Sequence, residues 1–105
     1  MERLAGAIAE VRAGTRLSAR TIKLLKSGRA KMAQKVIEEA AEVAIEAVRD
    51  DRRALINESV DLLYNLTVLW SDAAISLVDV CLEMDRREEL LGMAEKLPKK
   101  GDDES

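Results

Sequence analysis

Histidine and phenylalanine are absent from this chain, and proline, cysteine, tryptophan and tyrosine each occur once. Without histidine there is no Ser-His-Asp or Cys-His nucleophile and no imidazole ligand for zinc. The lone Cys81 can form neither a disulfide within the chain nor a thiolate metal site, which fits a reducing compartment and the role of a small buried apolar residue. No Walker sequence or Gly-rich phosphate loop is present. No apolar run approaches the roughly 18 residues of a membrane span. The opening "MERLAGAIAEVRAG" carries Glu2 and Glu10 and lacks the apolar core of a signal peptide. A cytoplasmic protein with no membrane partner is expected. The net charge of −3 gives no overall basic character for a nucleic-acid polymer. Chemistry is left to carboxylates, amines, amides and hydroxyls.

What is present is helical material. Hydrophobic residues make up 48% of the chain and charged residues 35%, with Ala, Leu, Glu, Arg and Lys prominent and no β-branched clusters that would mark strands. The fold class is all-α, with five helices in a single domain over residues 1–97 and a disordered polar tail over 98–105. The first helix, with Leu4, Ile8, Ala9 and Val11 toward one side, stops at Gly14. Ser18 caps a short second helix ending near Ser27-Gly28, and a long third runs from about Arg29 to Arg49. Asp50 or Asp51 caps a fourth, to about Ala74, and Ser76 caps a fifth with Asp79 in its first turn. That fifth helix reaches about Arg87 and continues or restarts before Pro98.

So short a link between the third and fourth helices requires a long antiparallel hairpin. Helical periodicity gives the third an apolar face of Met32, Val36, Ala40, Val43 and Ala47. The fourth has two: Leu55, Leu62, Leu66 and Leu69, and separately Ile56, Val60, Leu63 and Trp70. One partner helix cannot cover both, so the surplus face predicts a helical-bundle homodimer.

The acidic residues break the pattern of a solvated surface. Glu39, Glu42 and Glu46 share a stripe with Lys35, and Glu38 lies beside it. Residues three and four apart are neighbours on a helix, so these carboxylates repel with too few cations interleaved. On the fourth helix Glu58 and Asp61 are three apart inside an otherwise apolar run, and Asn65 continues their stripe. Across the hairpin, Glu39, Glu42, Glu58 and Asp61 converge at similar depths. Four carboxylates with neither His nor Cys make a hard oxygen site, suited to Mg²⁺ or Mn²⁺ rather than zinc. Mg²⁺ typically bridges to substrate phosphates, which suggests a phosphoanhydride substrate.

The segments "TIKLLKSG", "KVIEEAAEVAIEAVRDDRRALINESVDLLYNLTVL" and "ISLVDVCLEM" resemble the phosphoribosyl-ATP pyrophosphatase family, within the MazG-like all-α nucleotide pyrophosphohydrolases. The resemblance implies Mg²⁺-dependent hydrolysis of the α–β phosphoanhydride of phosphoribosyl-ATP to phosphoribosyl-AMP and pyrophosphate, a step of histidine biosynthesis. It also implies Glu39, Glu42, Glu58 and Asp61 as metal ligands with Glu38 adjacent, and a helical dimer.

Within that framework Glu38 and Glu39 are the candidates to orient or deprotonate water. The basic stretch of Arg20, Lys23, Lys26, Lys31 and Lys35, which precedes and enters the acidic helix, would clamp phosphates, and Asn65 would bind ribose or phosphate. Tyr64 and Trp70 fit core or interface packing better than base stacking. Two alternatives stay open: a house-cleaning hydrolase of other nucleoside triphosphates, and a non-catalytic helical dimer.

Overall fold

The computed structural model describes residues 1–14 and 18–96, the last four of these by backbone alone. The described residues form five α-helices and no strand: α1 (Glu2–Ala13), α2 (Ala19–Lys26), α3 (Arg29–Val48), α4 (Arg52–Asp72) and α5 (Leu77–Lys96). The expected tail over 98–105 lies outside the described residues.

Local chemistry accounts for the boundaries. Gly14 ends α1 in the left-handed conformation, φ 83°, where a side chain is disfavoured. The Ser18 hydroxyl accepts from the Thr21 amide to start α2, and the Asp51 carboxylate accepts from the Ala54 amide to start α4. Ser76 and Asp79 exchange reciprocal bonds at the head of α5, each amide donating to the other's side chain. The fifth helix then runs unbroken through "EELLGMAEK" to Lys96. Between α2 and α3, Gly28 adopts φ 93° and ψ 162°, a region essentially closed to other residues. That glycine sets how the basic α2 meets the acidic α3.

The most extensive helix contact is between α3 and α4, and α1 packs on α4 while α2 touches α1, α3 and α4. Ile8, Met32 and Val68 form the buried centre, with Leu4, Leu24, Leu25, Tyr64 and Leu69 packed around it. On α3 the covered stripe is Met32, Val36, Glu39, Val43 and Glu46, whereas Ala40 and Ala47 are exposed. This corrects the expected apolar face. A single methyl gains little from burial, and the inward register instead carries two carboxylates against α4. The two faces of α4 sort as anticipated in part: Leu55, Leu62, Leu66 and Leu69 are half-covered, while Ile56, Val60 and Leu63 remain exposed, Val60 at 60%.

Beyond Asp72 the chain turns through 106° into α5, which makes no comparable contact with any other helix among the described residues. Its Val78, Leu82, Met84, Leu90 and Leu91 are exposed. Cys81, expected to be buried, is exposed as well, in keeping with the sparse packing of other helices against α5 among the described residues. No single helix among the described residues is long and apolar enough to cross a membrane.

Asp72 staples three helices. Arg29 Nε, at the first residue of α3, donates to Asp72 Oδ2 at 2.8 Å, and Arg12 Nη2 of α1 donates to Oδ1 at 3.1 Å. The hydrogen bond from Arg29, followed by the charges of Arg29 and Arg12, holds the Asp72 carboxyl below its ordinary 3.8. A carboxylate with a lowered folded pKa stabilises the fold above its unfolded value and loses that contribution as pH falls through the folded one. Asp72→Asn is therefore expected to lower the melting temperature at neutral pH, with the gap to wild type narrowing as pH drops below 3.8. Thermal scans across that range check this; a gap independent of pH would contradict it.

Candidate functional site

Glu39 of α3 and Glu58 and Asp61 of α4 each present a carboxylate oxygen within 4.8 Å of the others, and all three are half-buried. Glu39 comes inward because it falls between Val36 and Val43 on the covered stripe of α3. Glu58 and Asp61, one turn apart, meet it from the opposing helix. Burial first, then a hydrogen bond with Glu39, then the negative charges of Glu39, Glu42 and Asp61 push the Glu58 carboxyl above its ordinary 4.5. Three hard oxygens forced together, with one resisting ionisation, fit a divalent cation of the Mg²⁺ or Mn²⁺ class.

Glu42 stands outside that trio. It is exposed on α3, near enough to raise the Glu58 pKa without bringing an oxygen into the set. Glu38 is exposed too. Gln34 Nε2 donates to it at 2.9 Å and Lys35 Nζ lies 3.6 Å away. That hydrogen bond from Gln34, with the charges of Lys35 and Lys31, holds the Glu38 carboxyl below its usual range. It is accordingly a weaker proton acceptor than an ordinary glutamate.

Beside the acids opens a cationic cleft of about 290 Å³, lined by Arg20, Lys23, Lys31, Lys35 and Asn65 together with Leu24 and Ser27. Five of the six residues read from the sequence as substrate-binding thus share one cavity. The sixth, Lys26, is exposed at the end of α2 and is not part of the lining. Two cations connect cleft to acids: Arg20 Nη2 lies 3.9 Å from Asp61 Oδ1, and Lys35 Nζ 3.9 Å from Glu39 Oε2.

A device that sequence reasoning missed positions Arg20. Its guanidinium sits over the Tyr64 ring, 4.3 Å from the centroid. The Tyr64 hydroxyl in turn shares a 2.6 Å hydrogen bond with Thr21, whose hydroxyl also accepts from Ser18. The N-cap of α2 is thereby tied to α4 directly behind the acidic cluster. The only signal in the sequence is the adjacency of Arg20 and Thr21, since the partner lies 43 residues away. Trp70 is elsewhere, lining a hollow with Ile8, Ala9 and Thr67 on the α1 side of α4.

Comparison with known proteins accords with this arrangement. Residues 4–88 match the family described as Phosphoribosyl-ATP pyrophosphohydrolase. The chain is 52% identical over 99 residues to phosphoribosyl-ATP pyrophosphatase 2 of Rhodopseudomonas palustris, covering 94% of this chain and 76% of that protein. It is also 52% identical over 99 residues to phosphoribosyl-ATP pyrophosphatase 2 of Bradyrhizobium diazoefficiens, covering 94% and 74%. The phosphoribosyl-ATP pyrophosphatase of Azospirillum brasilense is 51% identical over 80 residues, covering 76% and 72%.

Proposed function

The chain belongs to the phosphoribosyl-ATP pyrophosphohydrolase family, and from that premise we propose that its acidic cluster and adjoining cleft hydrolyse phosphoribosyl-ATP to phosphoribosyl-AMP and pyrophosphate in histidine biosynthesis. The observation that carries the assignment of the site is the juxtaposition itself. Glu39, Glu58 and Asp61 converge on one point, and a cleft with four cationic side chains, Arg20, Lys23, Lys31 and Lys35, opens beside it. A triphosphate needs both: hard ligands for its counter-cation and fixed positive charge for the group that leaves.

Glu39, Glu58 and Asp61, with Glu42 at the edge, are the residues to hold Mg²⁺, with Mn²⁺ as a substitute. When bound, that ion supplies neutralisation of the phosphate oxygens and a more acidic water. The side chains of the protein do the rest. As the oxygen of water bonds to phosphorus, the bridging P–O bond breaks and its electron pair departs with pyrophosphate. Lys23, Lys31, Lys35 and Arg20 stabilise the charge that accumulates there. Glu38, with its lowered pKa, fits the task of orienting the water, and Glu39 that of taking its proton. Lys26 would act from outside the cleft, on the approach of the substrate.

The same reading takes α3 and α4 as an antiparallel hairpin within a single domain over 1–97, working as a cytoplasmic homodimer. Supporting the dimer are the uncovered Ile56, Val60 and Leu63 row and the exposed Val78, Leu82, Met84, Leu90 and Leu91 of α5, since exposed apolar patches mark interaction surfaces. A monomer at micromolar concentration in sedimentation would contradict it.

The substrate assignment is tested by measuring pyrophosphate release with Mg²⁺ across phosphoribosyl-ATP and standard and damaged nucleoside triphosphates. Turnover confined to phosphoribosyl-ATP is expected. Preferential turnover of another triphosphate would overturn the substrate, and silence on all would overturn the hydrolase.

A further inference from the structure

Asn65 is 1% exposed, yet it lines the cationic cleft. Its amide has one paired end and one unpaired end. Nδ2 donates to the Asp61 carbonyl one turn earlier, at 2.8 Å. Reversing the amide would press Oδ1 against that carbonyl, two acceptors face to face, so the orientation is determined. Oδ1 is left without any donor among the described residues and shut off from solvent. A buried acceptor with no partner is costly, and such groups are rarely left so without a reason. None of the four cations of the cleft donates to it; Lys35 pairs with Glu38 and Glu39, and Arg20 lies between Asp61 and the Tyr64 ring.

Oδ1 can take only a donor, which rules out direct recognition of a phosphate oxygen. It lies one helical turn, roughly 6 Å along the axis, from Asp61 in the acidic cluster. Among the groups of a nucleotide whose α–β linkage is at that cluster, the donors nearest to the triphosphate are the hydroxyls of the ribose that carries it. We propose that Asn65 reads that sugar, its side-chain carbonyl accepting a hydrogen bond from the 2′ or 3′ hydroxyl, so that the enzyme discriminates against deoxyribonucleotide substrates. This deepens the phosphoribosyl-ATP reading and rests on it.

A site built to pair a substrate hydroxyl rejects the analogue that lacks it far more strongly than a merely apolar pocket does, because its own polar group is then left stranded. The test compares kcat/KM for phosphoribosyl-ATP with that for its analogues lacking the 2′ or the 3′ hydroxyl on the ribose of the ATP moiety. Wild type is expected to prefer the parent by at least about tenfold over one of the two. Asn65→Leu, which keeps the branched four-atom skeleton and removes the acceptor, is expected to bring that ratio within about threefold of unity, chiefly by lowering turnover of the parent. Equal use of all three compounds by wild type would overturn the role of Asn65 whatever becomes of the variant. So would a ratio unchanged in a folded Asn65→Leu. Failure of wild type to hydrolyse phosphoribosyl-ATP at all would overturn the hydrolase reading and this inference together, an outcome distinct from loss of discrimination alone.

Discussion

Asp61→Asn will lower pyrophosphate release from phosphoribosyl-ATP by about 10²–10³-fold or more, the scale of loss when a preorganised charge is removed from a reacting site, with helix content unchanged. Asp61 contributes one of three clustered oxygens and also anchors Arg20 at 3.9 Å. Its side chain makes no cap and belongs to no core cluster, so the fold has little stake in its charge. Its backbone carbonyl, which receives the Asn65 amide, survives the substitution. Glu42→Gln is expected to follow the same course, and is the more discriminating variant because Glu42 stands outside the tight trio. Circular dichroism and a coupled pyrophosphate assay decide both. Normal turnover by Glu42→Gln would remove that residue from the ligand set and leave the other three; normal turnover by Asp61→Asn would remove the site.

The second large effect is on stability and has the opposite sign. Glu58 is forced to share space with Glu39 and Asp61, and its carboxyl is pushed above 4.5 first by burial and then by those neighbours. An acid whose folded pKa is raised is disfavoured by folding in its charged form, so the penalty is fully present at neutral pH and fades as pH falls through the folded value. Glu58→Gln should therefore melt higher than wild type in chelator at pH 7, and the advantage should shrink as pH approaches 4.5. Saturating Mg²⁺ should raise the wild-type melting temperature by at least as much, through binding to the folded state alone, and should scarcely move Glu58→Gln. This variant is thus expected to be the more stable protein and the inactive one. Scanning calorimetry with Mg²⁺ and with chelator checks it; a Glu58→Gln protein that melts lower than wild type in chelator would contradict the account of mutual repulsion.

The parts of this architecture legible in the sequence were those governed by neighbours in the chain. Ser18, Asp51 and Ser76 start their helices by bonding amides three residues ahead, so a local reading finds them. The spacing of Glu58 and Asp61 inside an apolar run likewise singled out two carboxylates that the fold brings beside Glu39, because an uncompensated carboxylate there needs a reason. Less legible was which face of α3 turns inward. Val36 and Val43 fix the register, but Ala40 and Ala47 read as apolar while offering a single methyl each, so the expected apolar face took them in although Glu39 and Glu46 occupy the covered stripe. Least legible were the side-chain contacts that tie α1, α2 and the start of α3 to α4. The Tyr64 and Thr21 bond, the Arg20 and Tyr64 stack and the Asp72 staple each join helices whose relative orientation no local pattern specifies. The exposed Cys81 belongs to the same class, since its burial depends on what α5 packs against and not on the residue itself.

Product analysis on phosphoribosyl-ATP, with Mg²⁺ and with chelator, decides whether this chain cleaves the α–β linkage with the help of a metal. Phosphoribosyl-AMP and pyrophosphate are expected in equal amounts with the metal, and no turnover once it is removed. Orthophosphate as the product, or a rate indifferent to chelation, would contradict this expectation.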